Sequence, residues 1–304
     1  MKCTQISPED LIGRLAEQAY LADRGLATVL TVALRLGRPL LLEGDAGVGK
    51  TEVAKALAGV LGSRLIRLQC YEGIDAASAL YDWNYARQML YIRTLEAADA
   101  NAHLALRDLF SEEFLIRRPL LEALQTQGGR QTVLLIDEID RADDAFEAFL
   151  LELLSDFQVT IPELGTISAD MTPVVILTSN RTRELHDALK RRCLYHWVGH
   201  PSVEREIAIV RLRVPGAAER LVREAATAVG RLRELDLIKP PGVAETVDWT
   251  EALAALGASK LEEELADHTL GAVLKHHEDL LRGRRLGAAC LLDGAGEVDG
   301  SAGG

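Results

Sequence analysis

Residues Pro39 to Leu57 read PLLLEGDAGVGKTEVAKAL, and this stretch constrains the fold more than any other part of the chain. Three leucines run into Glu43 as a short buried strand, and from Lys50 to Gly62 the apolar positions Val53, Ala54, Leu57, Ala58 and Leu61 recur at helical spacing. Between them Gly44, Asp45, Ala46, Gly47, Val48, Gly49, Lys50 and Thr51 match the phosphate-binding loop at every fixed position. Phosphate oxygens need several N–H donors close together; glycines let the backbone turn tightly, and the helix amino terminus adds favourable partial charge. Lys50 supplies a point charge to the outer phosphates. The Thr51 hydroxyl suits magnesium, which takes few protein oxygens and keeps its water. The pattern predicts a nucleotide site.

The 304 residues, 48% hydrophobic and 26% charged, are enough for one large or two modest domains. No apolar run approaches the roughly 20 residues of a membrane helix, and MKCTQISPED lacks the core of a secretory signal, so the expected location is cytoplasmic. Cys3, Cys70, Cys193 and Cys290 lie far apart without a CxxC pair, which suggests neither a disulfide framework nor a zinc site. A net charge of −12 argues against a general nucleic-acid binder.

Helices are predicted from Ser7 and over Asp23 to Leu36, the second stopped by Gly37 and Pro39. Strands are predicted over Leu65–Cys70, Val133–Glu138, Val174–Ser179 and Leu194–Val198. Val133–Leu134–Leu135–Ile136 ends in Asp137 and Glu138, as expected of a buried parallel strand whose carboxyl end faces a ligand. Asp137 would support the magnesium, and Glu138 would polarise the water that attacks the γ-phosphate. Asn180, delivered by the strand ending Thr178–Ser179, can hydrogen-bond that phosphate or water. Asp144 to Asp156 is an amphipathic helix, Phe157 to Ile167 a hairpin, and Arg183 to Leu189 a short helix before the basic triplet Lys190–Arg191–Arg192. Tyr71, Tyr81, Tyr85, Tyr91 and Trp83 crowd one irregular region, either a contact surface or a local core; His103 there is a lone histidine. After Pro201 the spacing is helical over Ser202–Val214, Ala217–Leu235, Trp249–Leu256 and Leu261–Leu281, with a rigid segment from Lys239 to Trp249. Residues from Gly283 on are expected to be a disordered tail.

This order of parts resembles the AAA+ ATPases and, more narrowly, the MoxR family, over about residues 20 to 282. The stretches LIRLQCYEGID, IDEIDRADDAFEAFLLELLSDFQVTIPELGTI and LTSNRTRELHDALKRRCLYHW are similar to the branch that accompanies molybdenum-containing carbon monoxide dehydrogenase and related molybdenum hydroxylases. The resemblance implies an α/β fold: a three-layer α/β/α core around a parallel five-stranded sheet over residues 1–200, an all-helical lid over 201–282, and the tail 283–304. It implies ATP and Mg2+ as ligands and a homo-oligomeric ring, usually a hexamer, that remodels or matures a client enzyme. A partner with a von Willebrand A domain is also implied, but no nucleic acid and no membrane span. The insertion within 71–129 and the hairpin Phe157–Ile167 would face the ring surface or pore. Arg191 and Arg192 would reach the γ-phosphate of a neighbouring subunit, where the planar guanidinium fork binds phosphate oxygens bidentately. One departure stands out: relatives carry an arginine at the start of the lid's third helix, whereas this chain reads GVAETVDW, with Lys239 the nearest basic residue upstream.

Two other functions use the same loop. A small-molecule phosphotransferase would leave the Asp–Glu pair, Asn180 and the lid unexplained. A nucleotide-gated assembly protein with little turnover would keep every motif and differ only in rate.

Overall fold

A computed structural model of the chain describes residues 6–97, 109–125 and 131–287. His103, Cys3, Cys290 and most of the expected tail lie outside the described residues. The chain divides into two compact units: the first holds residues up to Gln18, Ala22–Glu43 and Lys50–Trp197, and the second holds Ala19–Leu21, Gly44–Gly49 and the chain from Val198 on.

The first unit is organised by a five-stranded parallel sheet whose strands lie side by side in the order Leu65–Gln69, Val133–Asp137, Val174–Ser179, Leu40–Glu43 and Leu194–Trp197. Its strands are β1 (Leu40–Glu43), β2 (Leu65–Gln69), β5 (Val133–Asp137), β8 (Val174–Ser179) and β9 (Leu194–Trp197). Every residue of β1, β5 and β8 is buried, which explains their unbroken apolar runs. Leu134 and Ile136 join a core with Phe146, Leu150 and Leu153 of α7 (Asp144–Asp156) and Leu120 and Leu121 of α6 (Pro119–Leu124). Val133 and Leu135, both 0% exposed, point to the opposite face by the strand's two-residue period. Helix α3 (Lys50–Leu61) buries Val53, Ala54 and Leu57. Local signals set the ends: Asp23 caps α2 (Arg24–Leu36) through the Leu26 N–H at 2.7 Å, and α2 stops at Gly37, φ 62°. Asp143 caps α7 in the same way, through Phe146 N–H at 2.9 Å. The hairpin is present as β6 (Gln158–Ile161) and β7 (Gly165–Ser168), paired antiparallel.

Within the aromatic region, β3 (Tyr81–Trp83) pairs with β4 (Leu115–Arg117), and α5 (Tyr85–Ala97) follows β3. Trp83 is 7% exposed and stacks edge-on against Phe110 and Tyr81, with ring centroids 5.2 and 6.0 Å away. Trp83 is therefore core, whereas Tyr85, Met89 and Leu90 on α5 are exposed.

The second unit contains α9 (Val203–Arg213), α10 (Glu219–Arg233), α11 (Val243–Ala255), α12 (Glu263–Thr269) and α13 (His277–Leu286). Leu221, Val229 and Leu232 of α10 pack with Trp249 and Leu253 of α11 and with Leu270 and Leu274. Trp249, wholly buried, places its indole N–H 2.7 Å from the Thr269 hydroxyl.

Three expected boundaries differ. The helix expected from Trp249 starts at Val243, because Gly242 and Glu245 form a capping box behind Pro240 and Pro241. The expected helix Leu261–Leu281 is instead α12, a 3-10 turn over Leu270–Ala272 and α13, which runs on to Leu286. The buried Asp279 carboxylate accepts the N–H groups of Ile238 and Lys239 and holds α13 in that orientation. The helix expected over Arg183–Leu189 is α8 (Asp187–Arg192), started by His186, so Arg191 and Arg192 stand in its last turn rather than beyond it.

Candidate nucleotide site

Strand order brings together residues that are far apart in sequence. Parallel register aligns Gln69 with Asp137 and Glu43 with Ser179, so one sheet end carries Glu43, Gln69, Asp137, Ser179 and the following Asn180. Ligands of open parallel sheets collect at this end.

Asp137, 2% exposed, is the centre of the cluster. The Thr51 hydroxyl donates to its two oxygens at 3.1 and 3.3 Å, Thr178 donates to Oδ1, and Arg67 approaches Oδ2 with Nε at 3.0 Å and Nη2 at 2.6 Å. Thr51 and Asp137 thus bring two hard oxygen donors together at the start of α3. That set fits magnesium, which completes its octahedron with phosphate and water. Among the described residues no cluster of three or more His, Cys, Asp or Glu could hold a metal ion by itself.

Glu138 adopts the left-handed conformation, φ 54° and ψ 51°, uncommon outside glycine and costing of order 1 kcal/mol or more. Its N–H is fixed by the Thr178 hydroxyl at 2.9 Å, so the chain turns sharply after β5 and presents the carboxylate beside Asp137. Gln69 Nε2 lies 3.1 Å and Arg141 Nε 3.0 Å from Oε2, and Asn180 Nδ2 lies 3.5 Å from Oε1. Glu138 and Asn180 therefore stand side by side at the ends of β5 and β8. Arg67, Gln69 and Arg141 were not singled out by the sequence. The polar alternation of β2, LIRLQ, marks Arg67 and Gln69 as one face of a strand, but only the register shows which acids they meet.

Behind the cluster, Asp140 accepts Thr182 N–H at 2.8 Å and Thr182 Oγ1 at 2.7 Å, tying the turn after β5 to the turn after β8. It lines a cleft of about 610 Å³ together with Glu72, Asp143, Asp144 and Arg183. Burial, reinforced by the charges of Asp137, Asp140 and Glu138, pushes the Cys70 thiol up to about 12, so this cysteine is no nucleophile. Cys193 is likewise raised to about 12 by burial, with Arg38 opposing.

Arg191 and Arg192 are exposed, and no described contact joins either to Asp137, Glu138 or Asn180. Arg192 donates to the Ser155 hydroxyl, while Arg38 holds the carbonyls of both arginines, at 3.0 Å for Arg191. The arginines differ in that respect, a distinction the sequence does not make.

The loop preceding Lys50 groups with the second unit. Gly47 and Gly49 have φ 78° and 94°, conformations that side chains oppose, and such a loop leaves its N–H groups to be gathered around an anion. Asp45 lies 3.3 Å from His200 Nε2. Lys50, the first residue of α3, is buried. Lys239 is exposed, its backbone N–H taken by Asp279.

A phosphate-binding loop between β1 and α3, with acids at the end of a strand one removed from β1, defines a P-loop nucleotide-binding protein of the AAA+ α/β type. Residues 39–193, just over half of the chain, match the AAA domain family, dynein-related subfamily, and the chain belongs to that family. A 48-residue segment, 16% of the chain, is 46% identical to midasin of Giardia intestinalis and spans 1% of that protein's length. Among solved structures, the Thermotoga maritima RuvB Holliday junction branch migration motor matches at 17% identity and TM-score 0.46, covering 89% of this chain and 72% of that one. A mutant form of the same RuvB matches at 18% identity and TM-score 0.49, covering 90% and 74%.

Proposed function

We propose that this chain is an ATPase of the MoxR type that couples hydrolysis to remodelling or maturing a client protein. The observation that carries the reading is the convergence of Thr51, Asp137, Glu138 and Asn180 at adjacent strand ends. Gly44 to Gly49 and Lys50 would bind the phosphates, and Thr51 and Asp137 would hold Mg2+, which neutralises phosphate charge when bound. Glu138 is the base that takes a proton from the attacking water, and Asn180 orients that water beside it. The holds on Glu138 by Gln69 and Arg141 fit a base restrained until assembly.

In this reading residues 1–200 are the ATPase domain, 201–282 the lid, which α13 carries on to Leu286 in place of the start of the expected tail, and the remainder to 304 a tail; the protein works in the cytoplasm as a ring, usually hexameric. The similarity of LIRLQCYEGID and LTSNRTRELHDALKRRCLYHW to the branch beside carbon monoxide dehydrogenase supports a molybdenum enzyme as client and a von Willebrand A domain partner. Exposed Tyr85, Met89 and Leu90 on α5 are better placed for client contact than Trp83. Of the two arginines offered to a neighbour's γ-phosphate, Arg191 is preferred, since Arg192 is engaged by Ser155.

Phosphate release without any added acceptor tests the ATPase and separates it from a phosphotransferase. The trans role is tested by mixing Arg191→Ala/Arg192→Ala subunits with Lys50→Ala subunits. Each is expected to be inactive alone and partly active together, since a trans arginine is worth roughly 10³–10⁵ in turnover in GTPases. Mixed rings that stay inactive despite co-assembly would remove the arginines from the mechanism.

A further inference from the structure

The start of α11 is built onto the phosphate loop. Ala244 N–H donates to the Gly47 carbonyl at 3.2 Å. A Cβ on Gly242 would stand 2.7 Å from both Cα and C of Gly47 and 2.8 Å from the Ala46 carbonyl oxygen, all backbone atoms. No side chain fits there unless the turn and the loop separate. From the other side, a Cβ on Gly47 would stand 2.7 Å from Glu245 Oε2. The Glu245 carboxylate therefore rests against the middle of the phosphate loop.

It is fixed in that place. Gly242 N–H donates to Glu245 Oε2 at 2.9 Å, closing the capping box. Arg233 Nε donates to the Pro241 carbonyl at 2.6 Å, and both of its terminal nitrogens bond Glu206, which is 0% exposed. Thr246 in the first turn of α11 bonds the same Glu206 carboxylate and the Gly242 carbonyl. One buried ion pair thus holds both sides of the turn that carries Glu245. The helix opening GVAETVDW adds no cation to offset this charge.

We infer that Glu245 is an anionic gate on the phosphate loop, setting nucleotide affinity by opposing phosphate charge and coupling nucleotide binding to release of the α11 turn. The inference rests on the reading of Gly44–Thr51 as the nucleotide site. Like charges a few ångströms apart in partly solvated protein oppose one another by an amount that corresponds to about fivefold in affinity or more, and salt weakens the effect. The opposition grows with phosphate charge, so ATP is disfavoured more than ADP.

The test is titration of the full chain with fluorescent ADP and ATP analogues, in wild type, Glu245→Gln and Lys50→Ala. Glutamine keeps an oxygen to accept the Gly242 N–H while removing the charge. Glu245→Gln is expected to tighten binding about fivefold at low ionic strength, more for ATP than ADP, with the gain shrinking in high salt. Hydrogen exchange across residues 242–247 should quicken on nucleotide binding in wild type and less so in Glu245→Gln. Lys50-dependent binding that Glu245→Gln leaves unchanged or weakens overturns this inference alone. No Lys50-dependent binding in wild type overturns the nucleotide reading, and this inference with it.

Discussion

Replacing Arg233 by methionine tests whether the ion pair behind the α11 turn holds the helical unit together. Glu206 is 0% exposed and Arg233 11%, and Glu206 takes two guanidinium bonds and the Thr246 hydroxyl. Arg233→Met leaves that carboxylate buried with one neutral donor and frees the Pro241 carbonyl. Breaking a buried pair from one side costs about 3–5 kcal/mol, because the remaining charge is desolvated without compensation. At roughly 4–8 °C per kcal/mol for a unit of about this size, the thermal midpoint should fall by about 15 °C or more. The double variant Glu206→Leu/Arg233→Met removes both charges and should recover most of the loss, as apolar replacements of buried pairs do. Unfolding at neutral pH, followed by circular dichroism and calorimetry, gives the three midpoints. A single variant within about 2 °C of wild type, or a double variant as unstable as the single, would refute the reasoning.

Trp83→Ala should destabilise the first unit by about 3–5 kcal/mol, read by chemical denaturation, because it empties a core position between Tyr81 and Phe110; an unchanged midpoint would return Trp83 to the contact surface. Gln69→Ala should raise basal phosphate release about threefold or more by freeing Glu138, since bonds to charged groups are worth about 1.5–3 kcal/mol before solvent exposure weakens them; a fall in rate would count against restraint. His200 is held below the ordinary histidine range by burial first and the Arg233 charge second, against the pull of Asp45 and Glu206. Its folded pKa is thus below its unfolded one, so its contribution is full above pH of about 6.5 and is lost as pH falls through the lower folded value. Stability profiles from pH 7.5 to 5 should therefore fall less steeply in His200→Gln than in wild type.

The fold was legible where burial dictates composition. β1, β5 and β8 are buried throughout and read as unbroken apolar runs, and Asp143 and Gly37 mark helix ends by local chemistry. That Thr51, Asp137, Glu138 and Asn180 lie near one another was legible because they follow the apolar runs of neighbouring buried strands or open the helix after the first of them. The misses are long-range. Arg67 and Gln69 acquire meaning only through the register of β2 with β5, and the docking of Gly242 and Glu245 on Gly47 joins parts of the chain nearly two hundred residues apart. The start of α11 was hidden by Pro240 and Pro241, which make Lys239 to Trp249 read as one rigid segment although they precede a capping box. The break near Leu270 is followed by α13, whose Asp279 reaches back to Ile238, a contact no helical period records.

The proposed function stands or falls on Glu138 as the base of a hydrolytic site built on Lys50 and Thr51. The most direct measurement is acceptor-free phosphate formation at saturating Mg-ATP by Glu138→Gln, with the retained nucleotide identified. ATP should stay bound as in wild type, unlike Lys50→Ala, and phosphate should form more slowly by on the order of 10²–10⁴, the usual cost of losing a general base. Wild-type turnover by Glu138→Gln, or equal loss of ATP binding in both variants, would contradict it.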